Sequence, residues 1–170
     1  MRIINKPEIS RIIALSYEAL LVFIVAVVVF FVYAAFFTPM GFIVGVAASI
    51  TSAFVGIIIL SIFMSLHQTR YILTDGEILI ETSILIGGSK SIPLMNVKSV
   101  EKTLMPFGIR LFGASFHGGY YHIPSLGKAF LAITNFKDSL LIRTDHDNYI
   151  ITPRKPLDFK KAVEDRLTNL

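Results

Sequence analysis

Cysteine is absent from this 170-residue chain, which excludes a disulfide framework and any thiolate metal site. Charge is missing too, over one long stretch: residues 19–69 hold no Lys, Arg, Asp or Glu. A bilayer core of ~30 Å takes roughly 20 apolar residues per helix, so this stretch suffices for two. Proline and glycine in Thr38-Pro39-Met40-Gly41 mark a turn within it. Residues 19–37 and 42–66 therefore read as two transmembrane helices joined by a very short turn. Ion paths and proton relays need ionisable groups at depth, and neither span has one, which argues against transport by this chain alone. Also lacking is an A-x-A-like cleavage site around Ala34-Ala35, and the first run outlasts the ~7–15 apolar residues of a signal peptide. The first span is expected to be retained.

The charge that is present sits at the flanks. Net charge is +4, from 16 Lys and Arg against 12 Asp and Glu. Arg2, Lys6 and Arg11 precede the first span, Arg70 follows the second, and the turn between them has none. The bias of Lys and Arg toward cytoplasmic flanks puts both termini in the cytoplasm of a multi-pass protein of the cell membrane. Residues 1–18 then form a cytoplasmic N-terminal segment, and residues 70–170 a cytoplasmic domain large enough for one small core. Modest positive charge in this setting points to the lipid bilayer as a partner, not to nucleic acid.

The two spans differ in texture. Bulky residues crowd the first, whereas the second carries Gly41, Gly45, Ser49 and Ala53 at steps of four, with Ser52 and Gly56 beside them. Small-xxx-small faces allow close helix approach in lipid. This face serves either to pack the second span against the first or to seat a helix of another subunit.

After Arg70 the period changes from helical to alternating. Asp75-Gly76 is a hairpin turn between residues 71–74 and a second strand over 77–86, where Ile78, Ile80, Ile84 and Ile86 alternate with polar residues. A third strand over 91–100 is interrupted near Pro93, and further strands are predicted over 109–115, 119–123, 129–134, 139–143 and 149–152. The ending is helical: Pro156 suits a first helical position, Asp158 the first turn, and Phe159, Ala162, Val163 and Leu167 share one face. The expected fold is a membrane α-helical hairpin followed by a mainly-β, PH-like domain of about seven strands and a C-terminal helix.

The run Tyr71-Ile-Leu-Thr-Asp-Gly-Glu-Ile-Leu-Ile80, the later Leu140-Leu-Ile-Arg-Thr-Asp145, and Tyr149-Ile-Ile-Thr-Pro153 with Pro156-Leu-Asp-Phe159 resemble the bacterial PH domains. The likeness covers roughly residues 70–167. Many such proteins carry the domain just after a pair of membrane helices. The resemblance implies a PH-like fold and a membrane role, and supplies no catalytic residues. One departure bears on ligands: eukaryotic PH domains grip inositol phosphates with a basic first hairpin loop, and here that loop is the acidic Asp75-Gly76-Glu77.

Little else suggests site chemistry. His117 and His122 lack nearby carboxylates to complete a metal shell, and five residues apart on a strand they face opposite ways. Asp145-His146-Asp147-Asn148 lacks the glycine and closing Glu of an EF-hand and reads as a turn. No nucleophile motif, metal site or cofactor is expected. The unusual stretch is 107–121, where Phe107, Phe112, Phe116, Tyr120 and Tyr121 stand among glycines with Arg110 as the one formal charge. Its aromatics either fill the core or form a surface that meets a partner or the headgroup layer.

The expected function is that of an interaction module, an accessory or regulatory subunit whose partner is an integral membrane protein or a second copy of the chain. The alternative is a sensor of anionic headgroups, using Lys90, Lys98, Lys102, Arg110 and Lys128. An enzyme with a dispersed site ranks third.

Overall fold

A computed structural model describes residues 2–39, 41–105, 107–113 and 117–169. The chain divides into two compact units, one of residues 11–64 and one of residues 1–10 with 65–170. The first unit is a pair of helices, α1 (Arg11–Phe37) and α2 (Phe42–Gln68), each 27 residues long. At 1.5 Å per residue each measures about 40 Å, enough to cross a bilayer core. Most of their large apolar side chains are exposed, as a lipid-facing surface requires.

The two helices run antiparallel in a constant register. Tyr17 stacks on Phe63 with ring centroids 5.3 Å apart. Ile24 lies against Gly56, and Ala35 against Gly45. Gly45 has no room for a side chain: a Cβ there would come within 2.5 Å of the Ala35 Cβ. Near the turn, Phe36 and Phe42 meet edge to face at 5.4 Å.

The second unit is mainly β. A short strand β1 (Ile3–Asn5) opens it, followed after the hairpin by β2 (Arg70–Leu73), β3 (Glu77–Glu81) and β4 (Lys90–Pro93). These form an antiparallel sheet in the order β1-β2-β3-β4. The remaining strands are β5 (Val97–Thr103), β6 (Ile109–Phe112), β7 (Gly118–Ile123), β8 (Gly127–Ala132), β9 (Ser139–Thr144) and β10 (Asn148–Ile151). They build a six-stranded sheet in the order β5-β9-β10-β8-β7-β6, antiparallel except for the β8–β10 pair. Helix α3 (Pro156–Leu167) buries Phe159 and Val163 and packs on β5 and β9.

Three features depart from the expected strands. Residues 3–5 pair with β2, Ile3 opposite Leu73 and Asn5 opposite Tyr71. The strand from Glu77 ends at Glu81, and Ile84–Ile86 forms a 3-10 turn closed by Gly87 at φ 115°. The interruption near Pro93 is a second 3-10 turn, Leu94–Asn96, which carries the chain from one sheet to the other around the buried Leu94.

The main core lies between the sheets and α3, with Tyr71, Ile78, Ile80, Phe130, Ile142, Ile151 and Phe159 among its members. A polar thread runs through it. The Tyr71 hydroxyl donates to the Ala132 carbonyl at 2.7 Å, and burial pushes its pKa to about 12 against partial relief from Thr152. Thr134 receives the next links: its amide donates to Thr152 Oγ1 at 2.9 Å and its hydroxyl to the Glu8 carbonyl at 3.0 Å. Arg154 donates its amide to Asn5 Oδ1 at 2.9 Å. The N-terminal residues are thus tied into the β unit at several points, which satisfies backbone groups that would otherwise be buried unpaired.

Candidate interaction surface

Among the described residues, strand β6 is the terminal strand of the larger sheet and pairs only with β7, Ile109 opposite His122, Arg110 opposite Tyr121 and Phe112 opposite Tyr120. The register slips between Arg110 and Phe112. That bulge changes which way Phe112 points. By strict alternation it would share a face with Arg110; instead it shares one with Tyr120 and Phe130, while Arg110 falls in with Tyr121 and Ala129.

The aromatic residues of this stretch separate accordingly. Phe107 is 99% exposed, Phe112 76% and Ile109 72%, which leaves an open apolar margin along the sheet. Tyr121 turns inward to a second core cluster with Ile123, Leu131 and Ile150. Burial raises its pKa, and the Arg110 charge works against that rise. Tyr120 is half-buried and edge-on to Phe130 at 5.3 Å. Phe116 lies outside the described residues.

A cleft of about 720 Å³ opens beside this margin. Ile84 and Gly87 of the first 3-10 turn form one wall, Leu111, Phe112 and Gly113 another, with Gly119, Tyr120 and Lys128 completing the lining. Two ammonium groups converge on its tyrosine: Lys90 Nζ lies 5.1 Å and Lys128 Nζ 4.5 Å from the Tyr120 ring centroid. A ring face attracts cations through its quadrupole, so Tyr120 holds both lysines at the rim. Lys128 also pairs with Asp147 at 3.5 Å, and the Arg110 guanidinium donates to the Gly113 carbonyl. The wall and floor meet where Gly118 leaves room for the Ile86 backbone and side chain. A Cβ on Gly118 would fall 1.9 Å from the Ile86 carbonyl oxygen.

The other candidate groups have structural partners. Asp75 of the acidic first loop pairs with Arg166 at 2.6 Å, which fastens the loop to α3. Asp145 pairs with Lys98 at 2.8 Å, and that hydrogen bond holds its carboxyl below the usual range. Thr144 closes the same turn by accepting from the Asp147 amide at 3.1 Å and donating to the Asp147 carbonyl. His122 is exposed and His117 buried. Among the described residues no group of three His, Asp or Glu could hold a metal ion.

Burial holds the His117 imidazole below its usual pKa of 6.5, with a backbone hydrogen bond to Ile133 opposing. The unfolded chain therefore binds a proton that the folded chain refuses, and stability falls as pH drops below about 6.5. Denaturation midpoints at pH 7.5 and 5.5 should differ, with the lower value at pH 5.5. His117→Gln should narrow that difference.

In the helical unit the small residues of α2 and the Gly41 before it divide. Gly45 and Ser49 are buried, Ser52 and Gly56 partly so, and Gly41 and Ala53 exposed. The Ser49 hydroxyl donates to the Gly45 carbonyl at 2.8 Å, so its polar group is satisfied within the helix.

No solved structure and no curated protein shows significant similarity to the chain. A family model described as the bacterial PH domain does match, over residues 69–167, more than half of the sequence. Those residues are β2–β10 and α3, the two sheets just described without β1, and the closing helix. With two long apolar helices ahead of it, this chain belongs to the bacterial PH domain family.

Proposed function

We propose that this protein is a membrane-anchored interaction module that helps assemble or regulate a membrane complex, with an integral membrane protein or a second copy of itself as partner. The observation that carries the reading is the uncovered apolar margin of Phe107, Ile109 and Phe112 on a domain of a generally non-catalytic family. Large exposed apolar groups in one place mark contact surfaces, and aromatics are enriched at them. The packing of Gly45 and Gly56 against α1 supports the hairpin-internal role for those two small residues, and the exposed Ala53 remains available for a second helix.

The proposed location is the cell membrane, with α1 and α2 both crossing it and both termini in the cytoplasm. The pairing of β1 with β2 supports one side for both flanks, because residues before and after the hairpin share one sheet. Arg2, Lys6 and Arg70 on those flanks support the cytoplasmic side.

Purification of the full chain from its native membrane in mild detergent should recover it in a defined complex with a membrane protein or as a dimer. A monodisperse monomer would sink the reading. The pair of lysines over Tyr120 favours a second reading, capture of an anionic headgroup. Recovery of one anionic lipid with the chain, lost in Lys90→Gln/Lys128→Gln, would decide for that reading.

A further inference from the structure

An open sheet edge offers unpaired backbone groups to any strand, and proteins blunt such edges with short strands, lysine, proline, bulges or a covering helix. Three edges of this domain are treated in that way. Strand β1 has three residues, β4 carries Lys90 and ends in Pro93, and β5 carries Lys98 and Lys102 and packs against α3. The fourth edge differs. Strand β6 has one bulge and one cation, Arg110, while Ile109, Phe112 and the preceding Phe107 remain open.

We propose that β6 receives an extended segment of a partner protein, with alternating acidic and apolar residues, as a further strand of the larger sheet. This rests on the reading of the chain as an interaction module and specifies the chemistry of its partner. Three observations select that occupant. As a terminal strand, β6 turns the N–H and C=O groups of alternate residues away from β7, and a strand satisfies them where lipid tails cannot. Arg110 lies on β6 itself, on the face opposite Ile109 and Phe112, and neither β6 nor β7 contains an acid, so acidic residues of the incoming strand suit the Arg110 face and apolar ones the other. A second copy paired through β6 would bring two Arg110 side chains to one face with no acid on either strand, and like charges across a strand pair repel. The apolar residues of the incoming strand meet Ile109 and Phe112, which an added strand would cover.

The test uses the full chain in neutral detergent, with Phe107→Trp as the sole tryptophan. The probe is a blocked peptide of about eight residues alternating valine and glutamate, a length within the usual range for strands. Saturable binding is expected, about tenfold weaker for the same peptide with lysine in place of glutamate, a difference of one well-placed charge contact. N-methylation of every other amide should abolish binding, and Arg110→Glu should shift the preference toward the lysine peptide. No saturable response, equal binding of the N-methylated peptide, or indifference to peptide charge would each overturn the proposal. Self-association blocked by Ile109→Lys would reassign the edge to a second copy, and a larger response to phosphatidylglycerol vesicles would reassign it to the membrane. The two readings separate in the native membrane. If Arg110→Glu and Ile109→Pro both still copurify with the partner, the interaction module stands and its seat is elsewhere than β6.

Discussion

Phe130→Ala should lower the stability of the β domain by about 3–5 kcal/mol, the usual cost of emptying a buried phenylalanine site. Phe130 is fully buried on β8, an inner strand of the larger sheet, and belongs to the main core. Its ring meets Tyr120 edge-on at 5.3 Å and Tyr149 at 6.2 Å, and the Lys90 ammonium sits 5.2 Å from its centroid. Truncation leaves a cavity in a close-packed core whose surrounding side chains relax only in part to fill it. Typical domains have only about 5–15 kcal/mol in total, so the loss is a large share. Denaturant titration of the full chain in detergent, read by pulse proteolysis within residues 70–167, measures it. Phe130→Leu, which keeps most of the volume, should cost less than half as much; equal losses would place the energy in the aromatic contacts instead. Because Phe130 underlies Tyr120, the alanine variant should also loosen the two lysines at the cleft.

Gly118→Ala is expected to cost about 3 kcal/mol, the upper end of the range for forcing one extra carbon into a filled site. The new Cβ would meet the Ile86 backbone oxygen at 1.9 Å and the Ile86 side chain at 2.4 Å. Neither obstacle is the end of a flexible chain. The 3-10 turn must lift from β7, and the cleft wall carrying Ile84 and Gly87 lifts with it. Two readouts should therefore move together, the denaturation midpoint and the protease sensitivity of residues 82–89. A stability loss without new cleavage there would show that β7, not the turn, gives way. Gly76→Ala is a fitting control, since a Cβ at Gly76 meets nothing within 4 Å.

Much of the architecture was legible in the sequence because its signals are strong. An uncharged run with a Pro-Gly break is long enough that only helices satisfy it in lipid, and the alternation of Ile78 and Ile80 with Glu77 and Glu81 marks a half-buried strand. The failures have physical causes. Ile84 continues the same parity yet is 87% exposed, while Ile86 is buried, because the chain coils at Thr82-Ser83 and the period of two no longer applies. Strand β1 has three residues and too little pattern to detect, and its partner lies beyond both helices.

At the candidate surface, composition alone picked out residues 107–121. It could not tell Tyr121, which enters the core, from Phe112, which does not, because the bulge between Arg110 and Phe112 puts Phe112 on the face opposite the one strict alternation gives it. Lys90 and Lys128 are far apart in the sequence, and only the packing of β4 near β7 and β8 brings both to Tyr120. Long-range convergence of this kind leaves no local trace.

The pairing of Ile3–Asn5 with Tyr71–Leu73 also has a bearing on how the protein is made. During synthesis Ile3–Asn5 emerge ahead of both helices and must wait for β2, which follows them. α1 and α2 are antiparallel and equal in length, so the segment that separates β1 from β2 closes at little further entropic cost once the helices have paired. If both helices cross a bilayer, as proposed above, a chain caught with a single crossing would hold β1 and β2 on opposite sides. Its first strand could not be added, and Tyr71 and Thr134 would face quality control with their N-terminal cover missing. Under that proposal, completion of the sheet would act as a checkpoint on insertion, in which a three-residue strand reports both crossings.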